Sequence, residues 1–121
     1  RRGVDVRVVL SRVNDFPAGA RSNLVTANYL LAHGIRVYFY PGMTHVKALL
    51  VDDWALVGSG NLDHLSMRLC LEQNIATSDP DFAAQLKRDL FEADFRRSYE
   101  LTEPISVTWM DFIADIVMEN L

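Results

Sequence analysis

Val4, Val6 and Val8 alternate with Asp5 and Arg7 ahead of Val9 and Leu10, the period-two pattern of a strand with one buried face, so a first strand is expected over 4–10. Ser11 to Ala20 holds Asn14, Asp15, Pro17 and Gly19 and reads as a loop. Leu24, Ala27, Leu30 and Leu31 then fall at helical spacing, with Gly34 as the residue just past the helix end. Ile35 to Tyr40 is β-branched and aromatic and predicts a strand that Pro41-Gly42 breaks. Val46–Val51 and Trp54–Val57 flank Asp52-Asp53 as the arms of a hairpin, and Leu69 to Thr77 predicts a further strand. Ser78-Asp79-Pro80 starts a helix whose stripe of Phe82, Leu86, Leu90, Phe91 and Phe95 carries it to about Ser98. A second amphipathic helix has Trp109, Phe112, Ile113, Ile116 and Val117 on one face, expected to pack in a core or against another half, with Asp111, Asp115 and Glu119 elsewhere on the wheel. The class is α/β, a mixed β-sheet flanked by helices, with neither an internal repeat nor a linker.

The chain has 121 residues, half of them hydrophobic, enough for one ordinary domain with a real core, which excludes disordered and collagen-like readings. Twelve Lys and Arg against sixteen Asp and Glu give a net charge of −4, which argues against holding nucleic acid or anionic lipid through bulk charge. Any phosphate must be met by a local site. The single cysteine, Cys70, excludes an internal disulfide and a cysteine-based zinc site, leaves a mild preference for a reducing compartment, and is read as a small packed residue. No apolar run approaches the roughly 18–20 residues of a spanning helix, and no charged-then-apolar leader opens the chain. With Arg1 first and a strand starting almost at once, the expectation is a fragment of a longer protein, soluble or peripheral on a membrane.

The informative segment runs from His45 to Glu72. On a strand His45, Lys47 and Leu49 share one face, so an imidazole and an ammonium are neighbours able to address one phosphoryl group. A bare His-x-Lys is ordinarily a harmless surface pair. Gly58-Ser59-Gly60-Asn61, alone just a turn, follows the second hairpin arm and so returns near His45, offering hydroxyl and amide donors on a backbone freed by its glycines. Asp52 falls by parity on the face opposite His45, which predicts a structural role at the hairpin tip. His64 is a weak pocket candidate, and His33 suits a helix C-terminus with no catalytic role.

His45-x-Lys47-x4-Asp52, then Gly58-Ser59-x-Asn61 and a later Glu72, resembles the phospholipase D superfamily, whose hallmark is HxKxxxxD followed by GSxN and an acid. The resemblance covers nearly the whole chain and is strongest to the C-terminal half of bacterial cardiolipin synthases, although Leu65 and Cys70 stand where Arg and Asn are common. It implies a phospholipase D-like half, one of two pseudo-symmetric repeats, spanning 1–121. The implied activity is a phosphatidyltransferase or phosphodiesterase acting on phospholipids through a phosphohistidine, with no cofactor and no metal. His45 would be general acid and later base, or the nucleophile; Lys47, Ser59 and Asn61 would hold phosphoryl oxygens; Glu72 would orient the His45 ring; Gly58, Gly60 and His64 would line the pocket. The implied partners are a phospholipid, a second motif from a missing N-terminal half or a second copy of the chain, and a membrane surface met through the parent, on the cytoplasmic side of a bacterial inner membrane. No nucleic acid is expected. The competing readings are a single-motif nuclease active as a homodimer and a non-catalytic phosphate-binding module.

Overall fold

The computed structural model describes residues 3–60 and 71–120, and these group into two compact units. One unit comprises the chain up to Thr44 together with Phe95–Met118; the other is His45–Asp94 with the last residues of the chain. The α/β class holds, with the strands divided between two three-stranded sheets, one in each unit.

In the first unit β1 (Arg7–Ser11) and β2 (Arg36–Tyr40) run parallel, joined by α1 (Pro17–Ala32), and a short β6 (Tyr99–Leu101) pairs antiparallel with β2. The first strand begins at Arg7 rather than Val4, because among the described residues β1 pairs with β2 alone, in a register that starts at the Arg7–Arg36 pair. Val4 and Val6 are left exposed. The loop after β1 is also shorter than expected. Asn14 Oδ1 accepts the Phe16 N–H at 3.0 Å, and Pro17, fixed near helical φ and needing no donor, opens α1. At the other end Gly34 adopts φ 76°, the left-handed conformation that ends helices and that a side chain opposes. The core is Ala27, Val37 and Phe39, closed by Leu10, Leu24, Leu30, Leu101 and Ile105. Asn28 pins the segment after β6 to α1 by exchanging two 2.8 Å bonds with the backbone of Ile105.

The last helix is α4 (Trp109–Asn120). Its Asp111 accepts the Thr108 N–H at 2.6 Å and the Thr108 hydroxyl at 2.7 Å, and pairs with Arg21 of α1 at 2.8 Å. Asp115 accepts from Ser22 at 2.6 Å. The side turned to α1 is therefore Asp111, Ala114 and Asp115, and the expected packing face of Trp109, Phe112, Ile113, Ile116 and Val117 is exposed. Polar partners on α1 decided the helix rotation against the apolar stripe.

In the second unit β3 (Ala48–Val51) and β4 (Trp54–Gly58) form the predicted hairpin, and β5 (Asn74–Thr77) pairs antiparallel with β4. Two helical segments follow, α2 (Pro80–Leu86) and α3 (Glu92–Arg97), of which the residues from Phe95 on belong to the first unit; a π-helical turn at Lys87–Phe91 joins them and breaks the regular 3.6-residue stripe. Asp79 caps α2 by accepting from the N–H groups of Asp81 and Phe82, and Ala83 of α2 and Ala55 of β4 are buried. β5 is shorter than the predicted Leu69–Thr77; Leu69 and Cys70 lie outside the described residues, and Leu71 is fully exposed.

Candidate active site

The hairpin sets the site's geometry. Val51 pairs with Trp54, leaving Asp52-Asp53 as a two-residue turn in which Asp52 takes φ 52°. Aspartate tolerates this left-handed conformation better than most residues. The structure places Asp52, exposed, at the tip, the far end of the ladder from Lys47 and Gly58.

At the other end β4 stops at Gly58, whose N–H reaches the Lys47 carbonyl at 3.2 Å. Ser59 then turns to the other neighbour: its N–H donates to the Gln73 carbonyl at 3.0 Å. The regular strand consequently begins at Ala48, and His45 and Lys47 precede it rather than lying within it. Lys47 Nζ folds back to donate to the His45 carbonyl at 3.0 Å. This keeps the ammonium beside the histidine, though through the main chain rather than as two parallel side chains. His45 is exposed, and its ring has no hydrogen-bond partner among the described residues.

Ser59 and Glu72 meet directly. The Ser59 hydroxyl donates to Glu72 Oε2 at 2.5 Å and accepts the Gln73 N–H at 3.0 Å, so it replaces one rung of the β4–β5 ladder with a side chain. Two expectations change with this contact. Glu72 is engaged by Ser59 and not by the His45 ring, because Ser59 sits directly across from Gln73 while His45 lies beyond the end of β3. Ser59 also has one proton, already donated, so binding a phosphoryl oxygen requires it to leave Glu72.

The glycines act differently from expectation as well. Neither Gly58 nor Gly60 has positive φ. A Cβ on Gly58 would collide with Asn74 Oδ1 and the Gln73 carbonyl, so what this position needs is the close approach of β5. The N–H groups of residues 58–60 are all taken, by Lys47, Gln73 and Asn74 respectively, which leaves side chains rather than a backbone nest to meet an anion. Val57, Gly58, Glu72, Gln73, Asn74 and Ile75 line a shallow depression here. Asn61 and His64 lie outside the described residues. Sequence reading passed over Gln73 and Asn74; the signal was available in the hairpin register, since a strand antiparallel to β4 brings residues just after Glu72 opposite Gly58.

One end of this small antiparallel sheet gathers Lys47, Gly58, Ser59 and Glu72, with His45 just ahead of it. The family described as "Cardiolipin synthase, PLD-like domain" matches residues 1–94, and the chain belongs to that family. It is 43% identical over 104 residues to cardiolipin synthase A of Pseudomonas aeruginosa, covering 84% of this chain and 21% of that protein. To cardiolipin synthase B of Salmonella typhi it is 40% identical over 92 residues, 74% of this chain and 22% of that protein. The chain thus spans about a fifth of the length of these curated relatives. No solved structure matches it significantly.

Proposed function

We propose that this chain supplies one phosphoryl-transfer site of a cardiolipin synthase-like phosphatidyltransferase, completed by a second motif from the rest of a longer protein. The observation that carries the reading is the convergence of Lys47, Gly58, Ser59 and Glu72 at one end of one sheet, directly after His45. The names of the relatives support phospholipid as the substrate class.

In the proposed reaction one histidine attacks phosphorus while the other gives its proton to the departing alcohol oxygen. The P–O bond breaks and a P–N bond forms. In the second step the deprotonated histidine takes the proton of the incoming alcohol, whose oxygen displaces the phosphohistidine nitrogen. His45 serves as the acid and then the base, since an imidazole can both give and take a proton. Lys47, released from the His45 carbonyl, and Ser59, released from Glu72, donate to the phosphoryl oxygens as charge builds on them, with Asn61 assigned by motif. Glu72 then regains the Ser59 proton contact when product leaves. The parent would work peripherally or anchored at the cytoplasmic face of a bacterial inner membrane, where its lipid substrates lie.

In the full-length protein His45→Ala lowers transfer activity by about 10²- to 10⁴-fold, the range for a positioned acid–base group. Near-parental turnover in a phosphatidylglycerol assay refutes the assignment. Cleavage of DNA by a homodimer of this chain would transfer the same residues to a nuclease instead.

A further inference from the structure

Three consecutive residues on one side hold two consecutive residues on the other. Glu72 takes the Ser59 hydroxyl, Gln73 exchanges two bonds with Ser59, and Asn74 Oδ1 accepts the Gly60 N–H at 3.3 Å. Resting on the phosphoryl-transfer reading above, we propose that Asn74 is a positioning residue. It fixes the Gly60 backbone and thereby the placement of Ser59 beside Glu72.

The register makes the case first. Asn74 is the ladder partner of Gly58, and Gly58 is bonded on its other side to the Lys47 carbonyl. Lys47, Gly58 and Asn74 therefore form one row across the sheet, the last row before the loop. Space makes the second case. The Asn74 carboxamide lies where a Cβ on residue 58 would be, and its Nδ2 is 3.0 Å from where a Cβ on Gly60 would be. The two glycines and the asparagine are mutually dependent: the missing side chains admit the amide, and the amide holds the Gly60 N–H.

Chemistry makes the third. Holding an N–H at this distance from the strand takes an acceptor on a side chain of about this length, which serine is too short to supply. A carboxylate would reach, but it would put a second negative charge next to Glu72, where an anionic substrate must enter. A neutral amide oxygen meets both conditions. With Oδ1 committed to Gly60, the amide orientation is fixed by the hydrogen-bond pattern.

The test uses the full-length protein and two readouts. Asn74→Ala lowers kcat by about tenfold with KM within twofold, since a slackened loop misplaces a donor that acts in the transition state more than in ground-state binding. Deuterium exchange resolved at the Gly60 amide quickens by about the same factor or more. Asn74→Asp keeps the acceptor, so Gly60 protection returns, and the ratio of its kcat to the parent's rises as pH falls and the new carboxyl is neutralised. A purely structural asparagine would show no such pH-dependent ratio. The proposal is overturned if Asn74→Ala keeps kcat within twofold, if its loss lies wholly in KM, or if Gly60 exchange is unchanged. Absence of His45-dependent transfer in the parental protein would instead overturn the functional reading, and Gly60 exchange would still decide whether Asn74 holds the loop.

Discussion

Gly58→Ala probes the close approach of β5 on which the site depends. The added methyl meets three atoms: Asn74 Oδ1, which can swing away, and the Gln73 carbonyl and Asn74 Cα, which are backbone and cannot move without separating the strands. Forcing a methyl into a filled space costs about 1–3 kcal/mol, and two immovable atoms out of three put this case in the upper half, about 2–3 kcal/mol. For a chain of this size that is a drop in melting midpoint of about 6–12 °C. Each of the chain's two tryptophans lies in a different unit, so in a Trp109→Phe background Trp54, four residues before Gly58 on β4, reports the second unit alone. Urea titration followed by Trp54 fluorescence gives the free energy. Gly60→Ala is the control, since its methyl meets only side-chain atoms of Asn74 at 3.0–3.3 Å and the Glu72 Cβ at 3.4 Å, and it should cost less than about 1 kcal/mol. A Gly58→Ala cost below about 0.5 kcal/mol, or one equal to the control's, refutes the argument that this glycine exists to admit β5.

Two further outcomes follow from the geometry. Asp52→Asn retains a residue that accepts the left-handed turn conformation, so it should change stability by less than about 0.5 kcal/mol and leave transfer activity within twofold; a large activity loss would give the Asp52 carboxylate a chemical role that its place at the far end of the hairpin does not. In the first unit the Arg36 guanidinium grips Glu100 through two bonds of 2.8 and 2.9 Å, and the Tyr38 hydroxyl adds a third, holding the Glu100 carboxyl down at about 2 from its usual 4.5. A depressed carboxyl stabilises the fold above its unfolded value and loses that contribution as pH falls through 4.5 toward about 2. Acid unfolding of the parent should therefore show a component in this window that Glu100→Gln lacks, and identical acid profiles would remove Glu100 from the account.

Local signals carried much of the architecture. A proline at the helix start, a glycine after the helix end, an Asp-Pro cap and an Asp-Asp turn act within a few residues, so Gly34, Asp79-Pro80 and Asp52-Asp53 occupy the places their chemistry predicts. The motif itself was legible for the same reason, as residue types at fixed offsets. Partnering across the fold was not. β6 is three residues long and exists because β2 offers an open edge to Tyr99–Leu101, which no local pattern announces. Thr108-x-x-Asp111 was a readable cap, but that Arg21 and Ser22 would draw the acids of α4 inward and leave its apolar stripe outside depended on residues about ninety positions away.

The sequence by itself determined which reactive side chains the candidate site can offer, because His45, Lys47, Ser59 and Glu72 are chemical choices that only the chain can make. Tertiary structure alone decided how they are paired. Strand register set Ser59 across from Gln73, so the shortest path for its hydroxyl led to Glu72 and left His45 exposed, and it set Gly58 opposite Asn74, so the glycine became a matter of strand spacing rather than of dihedral freedom. Hydrogen bonds form between the atoms that the ladder brings within about 3 Å, and which atoms those are is a property of pairing between segments, not of either segment read alone.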